Sequence, residues 1–362
     1  MSKKVVVGMS GGVDSSVAAY LLKEQGYEVI GVTMEIWQKE SEGILEREGG
    51  CCGLSAAEDA KRVAGALGIP HYVMNFRDIF QQKVIDYFVQ EYQAGHTPNP
   101  CIACNRFVKW EALLRRSMEI GADYIATGHY ASIKKLANGR YAIARSKFDR
   151  KDQSYALYNL TQEQLSHTLM PLGEYEKGQI RCIAAEQGLQ VAQKPDSQDI
   201  CFIPDNDYKR FLEEETGEKP CEGNFVDKSG NVLGKHRGIT HYTIGQRKGL
   251  NLAFGHPVFV TELRPDTNEV VIGGAEDVYV DALEAAQLHC MAVEHFEEGQ
   301  RMMAKIRYAD KGQMCTIEKL EGDKAFIAFD QEVRAVTPGQ AVVFYQENIV
   351  LGGGTIVRGR KK

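Results

Sequence analysis

Residues 5 to 22 read VVVGMSGGVDSSVAAYLL, and no other stretch restricts the fold as tightly. Val5, Val6 and Val7 are continuous and β-branched, which suits a strand buried on both faces of a parallel sheet. From Val17 the apolar residues Val17, Tyr20, Leu21 and Leu22 follow a helical period that ends near Gly26. Tyr27 to Val32 reads as a second strand. The stretch is therefore a βαβ unit with SGGVDSS as its first strand-to-helix turn. Such a turn gathers backbone N–H groups and the positive end of a helix dipole, so it binds phosphate. Gly11 and Gly12 permit positive φ and close backbone approach. Ser10, Ser15 and Ser16 supply hydroxyl donors. Asp14 is an unexpected charge at an anion site, and its role is either to hold Mg²⁺ or to hold the loop itself.

Two familiar phosphate loops are excluded. A Walker loop carries a lysine after its last glycine, and none stands here. The dinucleotide fingerprint needs a third glycine where this chain has Val13-Asp14-Ser15. The turn instead resembles the SGGxDS signature of the PP-loop ATP pyrophosphatases. That resemblance implies cleavage of ATP to AMP and pyrophosphate, with adenylation of a substrate oxygen that a nucleophile then displaces. It also implies nucleotide contacts from Gly8, Met9, Ser10, Gly11, Gly12, Val13, Asp14 and Ser15, with Mg²⁺ as an expected companion of ATP.

Strand and helix signals continue in alternation. Ser55-Ala-Ala-Glu58 reads as a capping box opening a helix to Leu67. His71 to Phe76 reads as a strand, Ile79 to Tyr92 and Phe107 to Ile120 as helices, and Tyr124 to Thr127 as a strand running into Gly128-His129-Tyr130. This α/β order indicates a doubly wound parallel sheet. Ligands are expected outside the carboxyl ends of its strands, where Met34 and Gly128 lie and join the candidate nucleotide contacts.

At 362 residues the chain suits two or three domains, and 43% hydrophobic with 25% charged residues is a globular composition. No run reaches the length of a membrane span, and no long apolar leader precedes Val5, so cytoplasmic residence without a membrane partner is expected. The net charge of −6 does not exclude RNA, because a phosphate backbone responds to local potential.

Nine cysteines in such a chain are expected to be reduced, and mostly small buried residues. HTPNPCIACNRFVKW (96–110) and KPDSQDICFIP (194–204) stand apart through polar, proline-rich flanks. A helix starting near Asn105 puts Cys104 by its N-terminus, which with Arg106 and Lys109 favours thiolate. Four readings stand for these thiols: buried structural residues, a zinc site from Cys51, Cys52, Cys101 and Cys104, a thiol–disulfide relay, and an iron–sulfur cluster.

Taken together, SGGVDSS, GGCCGLSAAEDA, TPNPCIACN, ATGHYA, RKDQSYAL, DSQDICFI and YTIGQRKGL are similar to the tRNA-specific 2-thiouridylase family, in order and spacing and over nearly the whole chain. The resemblance implies adenylation of the 2-carbonyl of a tRNA wobble uridine, then sulfur delivery from a cysteine persulfide. It places the persulfide on Cys201 and makes Cys104 the second catalytic thiol, leaving a Cys104–Cys201 disulfide. One departure matters: many members carry Asp where this chain has Cys101. The trio Cys101, Cys104 and Cys201 is similar to sulfur-transfer enzymes holding a 4Fe-4S cluster, so relay and cluster both stay open. The family also implies tRNA contacts from Asn99, His129, Lys151, Asp152, Gln153, Arg307, Tyr308 and Gln340. Glutamate, glutamine and lysine acceptors are the expected tRNAs. The implied sulfur source is a cysteine desulfurase, directly or through a carrier.

Arg150 to Tyr155 pairs cations with polar and aromatic groups that suit RNA, and a wobble base must leave its stack to enter an enclosed site. After Pro204, FLEEETGEKPCEGNFVDKSGNVLGKH is acidic and turn-rich, with helical period only in its first residues. From about Val280, short alternating strands separated by Gly, Asp and Pro turns suggest a closed β-barrel. The expected division is a catalytic domain at 1–205, a small β-rich tRNA-binding domain at 206–279 and a barrel at 280–362. The basic tail at 358–362 suits a phosphate contact or a solvated end. Two rivals remain: a PP-loop synthetase that adenylates a metabolite for amination, and a non-catalytic zinc- or cluster-holding RNA-binding module.

Overall fold

The computed structural model describes residues 2–36, 54–195 and 200–361, so Cys51, Cys52 and residues 196–199 lie outside the described residues. The chain forms two compact units. The first comprises Met1–Ile85, Pro100–Asn206 and Asn348–Val350. Its strands are β1 (Lys4–Gly8), β2 (Glu28–Glu35), β3 (His71–Asn75), β4 (Tyr124–Ala126), the hairpin β5 (Ala131–Lys135) and β6 (Tyr141–Arg145), and β7 (Thr168–Leu169). Five of them form a wholly parallel sheet in the order β3-β2-β1-β4-β7. β1 is central, with Val6 in register with Ile30 on one side and Ile125 on the other.

Val5, Val6 and Val7 are fully buried because both faces of the sheet are covered. On one face, α1 (Val13–Glu24), α2 (Leu54–Leu67) and a later helix, Lys177–Glu186, pack their apolar stripes onto Val5 and Val7. Val6 and Gly8 point the other way, as strand alternation requires. There Leu113 lies 3.7 Å from where a Cβ on Gly8 would stand. Leu113 belongs to α3, a continuous helical run made of Pro100–Ala103, a wider π-type stretch Cys104–Leu113, and Leu114–Glu119. With Lys177–Glu186 named α4, helices flank both faces, and the doubly wound expectation holds.

Several local expectations need correction. α3 begins at Pro100 and not near Asn105, since proline at a first helical position is pre-set for the helix. α2 is already helical at Leu54, so Ser55 lies inside it and is not its cap. The β5–β6 hairpin follows directly on the GHY turn, and no strand was expected there.

The second unit comprises Asp86–Asn99, Asp207–Glu347 and Leu351–Lys362. Its helix Tyr208–Thr216 covers the first residues of the acidic stretch, where the helical period stood; Asp207 caps it and Gly217, at φ +70°, ends it. Tyr208 stacks on Tyr92, at 5.0 Å between ring centroids. Strands β8 (Gly223–Val226), β9 (Val232–His236), β10 (Phe259–Arg264) and β11 (Glu269–Gly273) form a sheet in the order β10-β11-β8-β9. Then β12 (Tyr279–Cys290), β13 (Arg301–Lys305), β14 (Gln313–Glu321), β15 (Lys324–Arg334), β16 (Ala341–Gln346) and β17 (Ile349–Arg360) follow. They run β12-β15-β14-β13-β16-β17, and β17 pairs back onto β12, closing a six-stranded barrel as the alternation suggested.

The closure carries an ion cluster. Glu284 on β12 is buried and accepts from Arg358 and Arg360 of β17 and from Lys324 of β15. Burial pushes its carboxyl upward, but the bonds from Arg358 and Lys324 outweigh this and hold it below the ordinary range. A lowered carboxyl stabilises the fold above its unfolded titration range near pH 4, and that stabilisation is lost as pH falls through the folded value. Glu284→Gln is therefore expected to lower the thermal midpoint at neutral pH, with the gap from the parent protein closing in acid. A gap independent of pH, measured by melting both proteins from pH 3 to 8, would contradict this account.

Candidate active site

β1 ends at Gly8, and the turn is held at the sheet edge by Met9 N donating to the Val32 carbonyl (2.8 Å) and Thr33 Oγ1 donating to the Met9 carbonyl (2.9 Å). Met34 lies farther along β2, paired with Met74. Gly11 sits at φ +66°, and a Cβ there would come 2.4 Å from the Ala56 carbonyl oxygen. Gly12 is the N-cap of α1 and, lacking a side chain, leaves the first-turn amides without a side-chain cap. The Gly128 backbone approaches so closely that a Cβ would stand 2.6 Å from Ser15 N. Free amides at the start of a twelve-residue helix, on the carboxyl edge of a parallel sheet, form an anion cradle.

The serines serve the loop more than the sequence implied. Ser16 Oγ donates to the Gly12 carbonyl (2.8 Å), so it is not a free donor. Ser15 Oγ accepts from Ser10 N (3.2 Å) and lies 3.3 Å from the Gly12 carbonyl. Of the two roles given to Asp14, the geometry fits the structural one. Lys177 Nζ reaches both carboxylate oxygens (2.7 and 2.8 Å), and Tyr130 Oη donates to Oδ1 (2.6 Å).

Sequence reasoning missed these partners. Tyr130 is fixed by the KDQSY segment: its N–H donates to Gln153 Oε1 (2.9 Å), and its carbonyl accepts from Gln153 N (3.0 Å). Gln153 thus supports Tyr130 and, through it, Asp14 of the nucleotide turn. Asp152 has internal partners as well. Its carboxylate is buried and accepts from Ser146 N, Ser154 N and Ser154 Oγ. It organises the loop from within, whereas Lys151 beside it is exposed. His129 is half-buried, tilted against Trp110 at 5.5 Å, with Nδ1 2.6 Å from Thr127 Oγ1. Burial, reinforced by the Lys109 charge, holds its imidazole well below the usual range, so it is neutral.

Of the seven described free cysteines only Cys315 is buried, against the expectation that most would be. Burial pushes its thiol up to about 12, which makes it inert. Cys101 is exposed, in the first turn of α3, and Cys104 is half-buried where the π-type stretch begins. The next residue, Asn105, is fully buried, and its Nδ2 donates to the Ala156 carbonyl (2.9 Å). Cys201 is half-buried in a turn closed by Ile203 N on the Ile200 carbonyl. Phe202 anchors that turn edge-on to Phe80 (5.7 Å), and Lys83, nearby on the same helical run, lies over Phe107 of α3 (5.6 Å). The two sulfur segments therefore pack on one helical run, 77–85, within the catalytic unit. Among the described residues no group of three or more His, Cys, Asp or Glu side chains is placed to hold a metal ion.

The remaining tRNA candidates lie in the second unit. Gln340 Nε2 donates to the Thr97 carbonyl (2.6 Å), and Thr97 N donates to the Pro338 carbonyl (2.9 Å), which holds the segment leading to half-buried Asn99. Arg307 donates to the Arg334 carbonyl (2.9 Å), and Tyr308 is exposed.

Three family models match in succession: the tRNA methyl transferase HUP domain at residues 3–205, the tRNA methyl transferase PRC-barrel domain at 209–274, and the aminomethyltransferase beta-barrel domain at 280–356. A protein of Lachnoclostridium phytofermentans named tRNA-specific 2-thiouridylase MnmA is 65% identical over 98% of this chain and 100% of its own length. Proteins of that name in Clostridium kluyveri (57% identical, 98% of this chain, 99% of theirs) and Clostridioides difficile (55%, 98% of each chain) match over the same extent. No helix among the described residues is long and apolar enough to cross a membrane. The phosphate turn, the two sulfur segments and near-complete coverage by such relatives agree: this chain belongs to the tRNA-specific 2-thiouridylase family.

Proposed function

We propose that the protein is an ATP-dependent tRNA-uridine 2-sulfurtransferase. The observation that carries this reading is the uncapped amide turn at Gly11–Gly12, in a unit whose two sulfur segments share one helical support. The turn binds the phosphates of ATP, and α1 amides stabilise the departing pyrophosphate. Lys177 and Tyr130 hold Asp14 so that its charge does not oppose the anion. Magnesium, where bound to the nucleotide, screens phosphate charge.

The uridine 2-carbonyl oxygen attacks the α-phosphorus of ATP, and pyrophosphate leaves. Cys201 carries a persulfide, loaded by a cysteine desulfurase or sulfur carrier. The Cys104 thiolate attacks Cys201 Sγ, forming the Cys104–Cys201 disulfide and displacing the terminal sulfur as hydrosulfide. Hydrosulfide adds to C2, AMP leaves, and a proton is released. An external dithiol returns two electrons to the disulfide and resets the enzyme. Lys151, His129, Asn99, Arg307 and Tyr308 are the proposed RNA-side residues, and the wobble uridines of glutamate, glutamine and lysine tRNAs are the proposed substrates.

The test combines the protein, ATP, an unmodified tRNA transcript and a cysteine desulfurase with cysteine. Equal amounts of AMP and 2-thiouridine are expected. AMP without RNA, with an amine consumed, would indicate the metabolite synthetase; no AMP at all would indicate a binding module.

A further inference from the structure

Lys194 lies seven residues before Cys201, at the start of the sulfur segment. Its Nζ donates to the Gly11 carbonyl in the phosphate turn (3.2 Å) and to Asp59 Oδ2 on α2 (2.7 Å). Its own carbonyl accepts from Arg181 Nη1 of α4 (3.0 Å), which also binds the Ala192 carbonyl (2.8 Å). One turn earlier on α4, Lys177 grips Asp14. A single helix thus holds the nucleotide turn through one side chain and the leader of the sulfur segment through another. Lys194 closes the circuit by reaching directly from that leader to the turn.

None of this is needed to fold the sheet. Lys194 is a long, flexible cation, partly exposed, and it is tied down at both ends of its length. Anchoring such a side chain costs rotamer entropy, which two partly exposed charge-assisted contacts repay only modestly. What the arrangement does supply is register. The Gly11 carbonyl belongs to the residue whose conformation shapes the anion cradle, so a shift in the turn is felt at Lys194, and the reverse.

We propose that Lys194 is a positioning residue that sets the sulfur-bearing segment in register with the phosphate turn, so that sulfur is delivered only where a nucleotide has been bound and used. Asp59 orients it from α2, and Arg181 fixes its backbone. This rests on the thiolation reading above and adds to it a coupling between the two half-reactions.

The test uses the full-length protein with tRNA, ATP and a persulfide source, and compares Lys194→Met, Lys194→Arg and Asp59→Asn with the parent. In the parent, AMP and 2-thiouridine form one to one; failure of that ratio defeats the functional reading and not this proposal. In Lys194→Met we expect kcat for thiolation to fall about tenfold or more, while KM for ATP changes less than about threefold, a loss confined to the step after binding. AMP then exceeds 2-thiouridine, because water hydrolyses the adenylated uridine back to uridine and AMP when sulfur arrives too slowly. Lys194→Arg restores most of the ratio, because a cation of similar reach can bridge the same two acceptors. Asp59→Asn shifts the ratio in the same direction as Lys194→Met, and unchanged far-ultraviolet circular dichroism separates both from misfolding. The proposal is overturned if AMP and 2-thiouridine fall together, which would put Lys194 on the nucleotide itself, or if all three variants keep the parent ratio.

Discussion

Cys104→Ala is expected to lower 2-thiouridine formation at least about a thousandfold, the order of loss when a reacting nucleophile is removed. Adenylation persists in this variant, because the phosphate turn is untouched, and AMP is then released by water hydrolysing the adenylated uridine that sulfur no longer reaches. The expectation rests on placement as well as residue type. Cys104 opens the π-type stretch of α3, and its neighbour Asn105 is pinned to the Ala156 carbonyl, so the thiol is presented from a fixed backbone. Cys201→Ala should be equally severe, and the double variant no worse than either single one, since residues acting in one step do not add. Cys101→Ser should retain activity, because Cys101 is exposed and does not join the other two in a ligand set. The measurement is 2-thiouridine in digested transcript beside released AMP. A Cys104→Ala protein that thiolates within tenfold of the parent, or a Cys101→Ser protein as dead as Cys104→Ala, would remove the relay.

The second large effect is at Gly11. An alanine there takes on a left-handed backbone, which costs about 1–2 kcal/mol. Its Cβ would also stand 2.4 Å from the Ala56 carbonyl oxygen and 2.9 Å from Ala56 Cα. Both are backbone atoms, so no rotamer change relieves the contact and the turn must move. Displacing a binding turn by about 1 Å can cost about a hundredfold in rate, and kcat/KM for ATP in Gly11→Ala should fall on that scale. Thermal melting should show a drop of several degrees, consistent with a few kcal/mol in a chain of this size. Titrating ATP against AMP formation decides the matter: an unchanged kcat/KM would mean that the turn does not carry the phosphates.

Stability and catalysis meet at that residue because the turn sits on α2. The same contact that forbids a side chain at Gly11 locks the cradle against Ala56, and Asp59, one turn on, holds Lys194. The nucleotide turn is thus part of the packed layer and not a loop laid over it.

Much of this was written locally in the chain. Three valines followed by SGGVDSS dictate a buried parallel strand and an amide-rich turn, because β-branched residues and glycines act through their own backbone preferences. The barrel was legible for the same reason: alternation along β12 to β17 is a period set by the strand itself. Only the tertiary structure decided what surrounds the turn. Asp14 is separated in sequence from Tyr130 by 116 residues and from Lys177 by 163, and Lys194 from Gly11 by 183. No periodicity links such positions, since a hydrogen bond between side chains depends on where the sheet and its helices bring them and not on spacing along the chain. For the same reason nothing in the sequence showed that Asp152 holds the Ser146–Ser154 loop or that Gln153 holds Tyr130. Their charge and polarity were visible in the residue names, while their burial was a property of the packed fold alone.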